Sequence, residues 1–114
     1  MARQALETQT LSRSCNEALI LATLVDGPRH GYEIALEIER RGAGYFHFRH
    51  GTLYPILHQL EHDGLLRGSW SEEGPRGKRK LYVLTRKGRR HADDQRAAWH
   101  RFTEHLFAVL EGAS

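Results

Sequence analysis

Apolar residues recur every three to four positions through four stretches of the chain, interrupted once by a two-residue alternation. In the first stretch Ala18, Leu19, Leu21, Ala22, Leu24 and Val25 cover most of a helix surface, which predicts a largely buried helix. Ser14 and Glu17 stand at capping-box spacing, so this helix is expected to open at Ser14. Asp26-Gly27-Pro28 ends it, because glycine accepts a left-handed turn and proline cannot continue a helix. A second helix is predicted from Gly31 to Arg41, with Ile34 and Ile38 inward, Tyr32 and Ala35 beside them, and Glu33, Glu37 and Arg40 outward. Gly42-Ala43-Gly44 stops it. After an aromatic and basic link, Tyr45 to Arg49, a third helix is predicted from Thr52 to Asp63, with Leu53, Ile56, Leu57 and Leu60 at i, i+3, i+4 and i+7. Gly64 suits its C-cap, and Pro55 falls in its first turn, where a missing N–H costs little.

From Leu65 the period changes. Leu66 to Ser71 and Lys80 to Leu84 are expected to form a two-stranded hairpin around Glu72 to Gly77, a tip holding Gly74, Pro75 and Gly77. Thr85 then has the character of an N-cap, and no proline follows, so a last helix extends for about 26 residues, roughly 39 Å. Its apolar positions Trp99, Phe102, Leu106, Val109 and Leu110 alternate in steps of three and four. A domain of this size cannot hide the whole of that stripe, so a second copy of the chain is expected to cover it. The fold class is therefore mainly α with a small β-hairpin. A winged helix-turn-helix over residues 1–85 precedes a long C-terminal dimerisation helix over residues 86–114, the two forming one compact unit.

Composition narrows this picture. With 39% hydrophobic and 27% charged residues among 114, the chain reads as one globular domain with a modest core. Its longest uncharged apolar run, Ala18 to Val25, is far short of the ~20 residues of a membrane span, and Met1 to Thr10 lacks a secretory layout. The lone Cys15 excludes an internal disulfide framework and fits a reducing cytoplasm. The net charge of +3 says little, but its distribution says more. Between Pro75 and Ala92 stand Arg76, Lys78, Arg79, Lys80, Arg86, Lys87, Arg89 and Arg90 with no carboxylate, a local field suited to a polyanion.

Three helices and a basic wing are a DNA-reading arrangement, since an α-helix fits the B-DNA major groove and a basic hairpin neutralises phosphates beside it. The motifs sharpen this. Gly27-Pro28 with His30-Gly31-Tyr32-Glu33-Ile34 opens helix two. Gly51-Thr52-Leu53-Tyr54-Pro55 with Leu57, Leu60-Glu61 and Asp63-Gly64-Leu65 marks helix three. Gly77, Arg79-Lys80, Tyr82, Leu84-Thr85 and Gly88 mark the wing and the start of the last helix. In these three blocks the chain resembles the PadR family of bacterial transcriptional regulators from Asn16 to about Glu111. The resemblance implies a homodimeric, cytoplasmic DNA-binding regulator of the short subclass, with a single C-terminal dimerisation helix.

Candidate DNA contacts follow. Gly51 and Thr52 begin helix three, where backbone N–H groups favour a phosphate, and Tyr54 pairs a rigid ring with a hydroxyl donor, its alternative being a core role. Pro55 belongs to the same motif. His50, Thr52 and His58 stand nearest the base edges. Lys78, Arg79 and Lys80 are the wing's phosphate contacts, with Arg49 and Arg67 extending the track, and Tyr32 serves either as a core aromatic or as a phosphate ligand. In a short-subclass relative a tryptophan stands fourteen residues after the Leu-Thr pair, as Trp99 stands after Thr85. By that resemblance Trp99 and its symmetry mate flank a pore that stacks a small aromatic effector, the alternative being an ordinary packed tryptophan.

The implied mechanism is repression at a near-palindromic double-stranded operator, released by that effector. Two other readings compete: a winged-helix module for protein contact alone, and a metal-responsive regulator using His47, His50, His58 and His62. The chain has no phosphate loop, nucleophile elbow or carboxylate dyad that would suggest an enzyme. Neither does it carry a Cys-rich or His-Glu motif that would complete a metal shell, so no cofactor is expected.

Overall fold

The computed structural model describes residues 2–71 and 79–112, and the hairpin tip with Arg76, Gly77 and Lys78 lies outside them. Four helices enclose a small antiparallel sheet. In chain order they are α1 (Ala2–Leu24), β1 (Arg29–His30), α2 (Gly31–Arg41), α3 (His50–His62), β2 (Leu66–Ser71), β3 (Arg79–Leu84) and α4 (Arg86–Leu110). The sheet order is β1-β3-β2, with Leu66 opposite Leu84, Gly68 opposite Tyr82 and Trp70 opposite Lys80. The core lies where Ile20, Leu21 and Leu24 of α1 meet Ile34 and Ile38 of α2, Leu53, Leu57 and Leu60 of α3, and Leu66 and Tyr82 of the hairpin.

Each expected element is present, with corrections at its edges. Helix α1 does not open at Ser14: residues 2–13 contain no proline or glycine and several good helix formers, so nothing stops the helix short of Ala2. Its other end is sealed by side chains. Thr23 bonds the Ile20 carbonyl at 2.8 Å, Arg29 bonds that of Thr23 at 2.8 Å, and Arg41 bonds that of Ala22. Strand β1 was not expected, because two residues carry no alternation to read. It pairs Arg29 with Tyr82 and His30 with Leu81, and so stitches the start of α2 to the wing.

Helix α3 starts at His50, two residues before the expected Thr52, with Arg49 as N-cap. Pro55 therefore sits in the second turn, where its ring has no N–H to offer the Gly51 carbonyl. The far end closes as expected: Gly64 has φ +79°, and the amides of Leu65 and Gly64 bond the Leu60 and Glu61 carbonyls at 2.9 and 3.0 Å. In the link before α3, Phe46 and Phe48 pack against the core while Tyr45 and His47 face outward.

Two side chains of α2 depart from expectation. Tyr32 is 48% exposed and not a core residue, because it leans toward the wing and away from Ile34. Glu37 does not face water freely. Its side chain is only 12% exposed and is held by Arg40 (2.5 Å) and Arg41 (2.7 Å), and Arg41 also binds Asp26 beyond the end of α1. Hydrogen bonds from Arg40 and then Arg41 hold the Glu37 carboxyl down to about 2. A depressed acid stabilises the fold above its unfolded value and loses that contribution as pH falls through the folded one. Melting temperature is thus expected to fall from about pH 4.3 toward about 2. Glu37→Gln should flatten this acid limb in thermal melts, and an unchanged limb would mean that other carboxylates set it.

Candidate nucleic-acid interface

The start of α2, the outer face of α3 and the wing border one open cleft of about 920 Å³. Its walls carry His30, Tyr32, His50, Tyr54, His58 and Trp70, with Arg79 and Lys80 from β3. Among the described residues that line it, none is a carboxylate. The result is a concave surface of rings and cations.

Local chemistry explains how these side chains are held. His30 is the N-cap of α2, its backbone amide donating to the Glu33 carboxylate at 2.8 Å. Gly31 follows because a Cβ there would come within 2.8 Å of the Tyr54 ring and 3.0 Å of its hydroxyl oxygen. Tyr54 thus packs the hydroxyl end of its ring against the start of α2. It remains partly exposed, and its other side meets His50, whose ring stacks at 5.7 Å and 17°. The two roles weighed for Tyr54 are compatible: its ring fixes α3 against α2 while its edge stays open to the cleft.

At the N-terminus of α3, the amides of Thr52 and Leu53 already bond the Arg49 carbonyl at 3.0 and 2.9 Å. The Thr52 amide is therefore not one of the outward donors expected from the sequence. Helix geometry instead leaves the amides of His50 and Gly51 without an intrahelical acceptor. The Arg49, His50, Gly51, Thr52, Pro55 and His58 side chains or backbone are all exposed along this helix, and Arg67 is exposed on β2. On β3 the Arg79 guanidinium lies 5.8 Å from the Tyr32 ring centre, a stacking contact that aims both at the cleft. Lys80 is engaged differently, by Glu61 at 2.7 Å. Lys78 lies outside the described residues.

Sequence reading missed Trp70, 64% exposed on β2 with the Lys80 ammonium 5.5 Å from its ring. The signal was available: Leu66, Gly68 and Trp70 share one strand face, which runs from the core out to the cleft. Of the metal candidates, His47 stands near Glu39 (3.7 Å) and His50 stacks on Tyr54. Among the described residues no group of three or more His, Cys, Asp or Glu side chains is placed to hold a metal ion.

A second groove, about 520 Å³, lies between α1 and α4. Cys15, Leu19 and Ala22 line one side, and Arg96, Trp99 and His100 the other. Trp99 meets Phe102 edge-on at 5.3 Å and 75°. Beyond it Phe102, Leu106, Val109 and Leu110 are exposed, as is Phe107, which the predicted stripe omitted. Among the described residues of α4, only Gly88 and Ala92 are buried. No helix among the described residues is long and apolar enough to cross a membrane.

Comparison with known proteins agrees with this architecture. The family model for the PadR-like transcriptional regulators matches residues 20–94. A transcriptional regulator of Mycobacterium tuberculosis is 37% identical over 79 residues, 69% of this chain and 70% of its own. A PadR family transcription regulator of Clostridium difficile superposes with a TM-score of 0.68 at 29% identity, over 83% of this chain and 96% of that one. Bacillus subtilis PadR, solved in complex with operator DNA, superposes with a TM-score of 0.62 at 26% identity, over 68% of this chain and 43% of that longer one. The chain belongs to the PadR-like family of transcriptional regulators, and it is a regulator and not an enzyme.

Proposed function

We propose that the chain is a cytoplasmic homodimeric repressor. In this reading residues 1–85 read a near-palindromic operator and residues 86–114 join two copies. The observation that carries the DNA reading is the cleft between α3 and the wing, lined by rings and cations and, among the described residues, by no carboxylate. Two copies would place α3 in successive major grooves, with Arg49, His50, Gly51, Thr52, Tyr54, Pro55 and His58 at the groove and Tyr32, Lys78 and Arg79 along the phosphates. Support for the dimer is the exposed stripe on α4, where each large side chain contributes roughly 1.5–3 kcal/mol when fully buried.

The groove that holds Trp99 runs into this stripe, so a flat aromatic effector stacked there would act between protomers. Such a compound shifts the equilibrium only if it prefers the spacing of the two α3 helices that does not fit DNA. Titrating the protein against the DNA upstream of its own gene, at two salt concentrations with competitor DNA, tests the reading. Tight binding that survives the competitor and weakens with salt is expected. In a Trp70→Phe background, candidate aromatics should quench Trp99 emission and lower that affinity together. Binding equal on every sequence, or quenching with no loss of affinity, would count against repression and effector release respectively.

A further inference from the structure

A basic side chain on a wing is ordinarily free to meet a phosphate, whereas Lys80 is already paired with a carboxylate. Its Nζ donates to Glu61 Oε1 at 2.7 Å and lies 5.5 and 5.6 Å from the ring centres of Trp70 and Tyr82. The Lys80 side chain is 19% exposed. Glu61 is in the last turn of α3, and its second oxygen accepts the Gly68 amide of β2 at 3.3 Å. One carboxylate thus joins α3 to both strands of the wing. Gly68 makes the crossing possible: a Cβ there would collide with Lys80 Cε and come within 3.2 Å of Glu61 Oε2. The lysine stem reaches Glu61 by passing over the one residue of β2 without a side chain.

We propose that Glu61 and Lys80 are positioning residues for DNA recognition, which clasp the wing to α3 and withhold Lys80 from the phosphates. The proposal rests on the DNA-binding reading above. Phosphate contacts fix register and base contacts specify sequence, so discrimination needs a wing held at a set distance from the reading helix. A free lysine on a loosened wing would instead attract every duplex alike. The clasp trades general affinity for alignment, and the phosphate contacts of β3 fall to Arg79.

The test compares variants on a short mixed-sequence duplex, reading the slope of log K against log salt, with amide exchange of Gly68 followed in the DNA-free protein. Glu61→Gln, which removes the charge and keeps the shape, should steepen the slope by about 0.9, one further phosphate neutralised, and should speed Gly68 exchange several-fold. Lys80→Met should leave the slope as in the wild type, Lys80→Arg should preserve both readouts, and Arg79→Ala should make the slope shallower by about 0.9. A Lys80→Met slope as shallow as that of Arg79→Ala would overturn the proposal, since Lys80 would then already sit on a phosphate. So would a Glu61→Gln variant with unchanged slope and unchanged Gly68 exchange. A wild-type protein that binds no duplex at low salt would instead remove the DNA reading, and the recognition role with it.

Discussion

Changing Leu106 and Leu110 together to glutamate is expected to halve the particle mass in solution and to weaken operator binding by roughly 10²–10⁴-fold. Both side chains are exposed on one chain, as are Phe102, Phe107 and Val109 beside them. In the proposed dimer they are buried against their symmetry mates, and a carboxylate placed there would lose its water without gaining a partner. Local structure would survive, because α4 is anchored by its first turn, far from the substituted end. The loss in DNA affinity follows from linkage: once one α3 is seated, the second binds at the effective concentration set by the connection, and separate chains forfeit that gain. Sedimentation velocity with a helix-content check reads the first effect, and DNA titration the second. A variant with the wild-type mass would show that the seam lies elsewhere.

Gly88→Ala is expected to destabilise the fold by about 3 kcal/mol, a fall in Tm of roughly 10–20 °C. Helix propensity alone argues the opposite, since alanine is better than glycine in a helix by about 1 kcal/mol. Sterics decide the sign. A Cβ at Gly88 would overlap the Leu65 carbonyl oxygen and lie within 2.9 Å of its carbon, and both atoms are backbone. The approach is close because Thr85 locks it. Its hydroxyl accepts the Gly88 amide at 2.9 Å and donates to the Gly64 carbonyl at 2.6 Å, while its own amide bonds the Leu65 carbonyl at 3.1 Å. Neither side can retreat without breaking the cap or the end of α3. Gly51 is the natural control, since a Cβ there meets nothing within 4 Å, and Gly51→Ala should leave Tm unchanged or raise it. Equal melting temperatures for the two variants would show that the junction between α3 and α4 is looser than these distances imply.

What was legible in the sequence was what periodicity and local signals encode. The spacing of Ile34 and Ile38 located α2, Leu53, Ile56, Leu57 and Leu60 located α3, and Thr85 marked the start of α4. Local signals misled where a longer-range preference won. Ser14 and Glu17 have the right spacing for a cap, yet a helix continues through any favourable run until something stops it, and residues 2–13 offer no stop. Pro55 was expected in the first turn of α3 and stands in the second, because the helix begins two residues earlier.

The candidate site was legible as a region more than as a set of roles. Arg79 and Lys80 are adjacent and alike in sequence, but strand alternation sends one toward Tyr32 and the other across Gly68 to Glu61. That difference depends on partners 47 and 19 positions away, which composition cannot report. Trp70 shares its strand face with Leu66 and Gly68, and only the pairing opposite Lys80 shows how far that face runs past the core.

In the proposed dimer two copies of this chain present two α3 helices to one face of a duplex. Hydroxyl-radical footprinting on the bound upstream DNA tests it most directly. Two protected tracts are expected, centred about one helical turn or roughly 34 Å apart. A single tract confined to one major groove would contradict the claim.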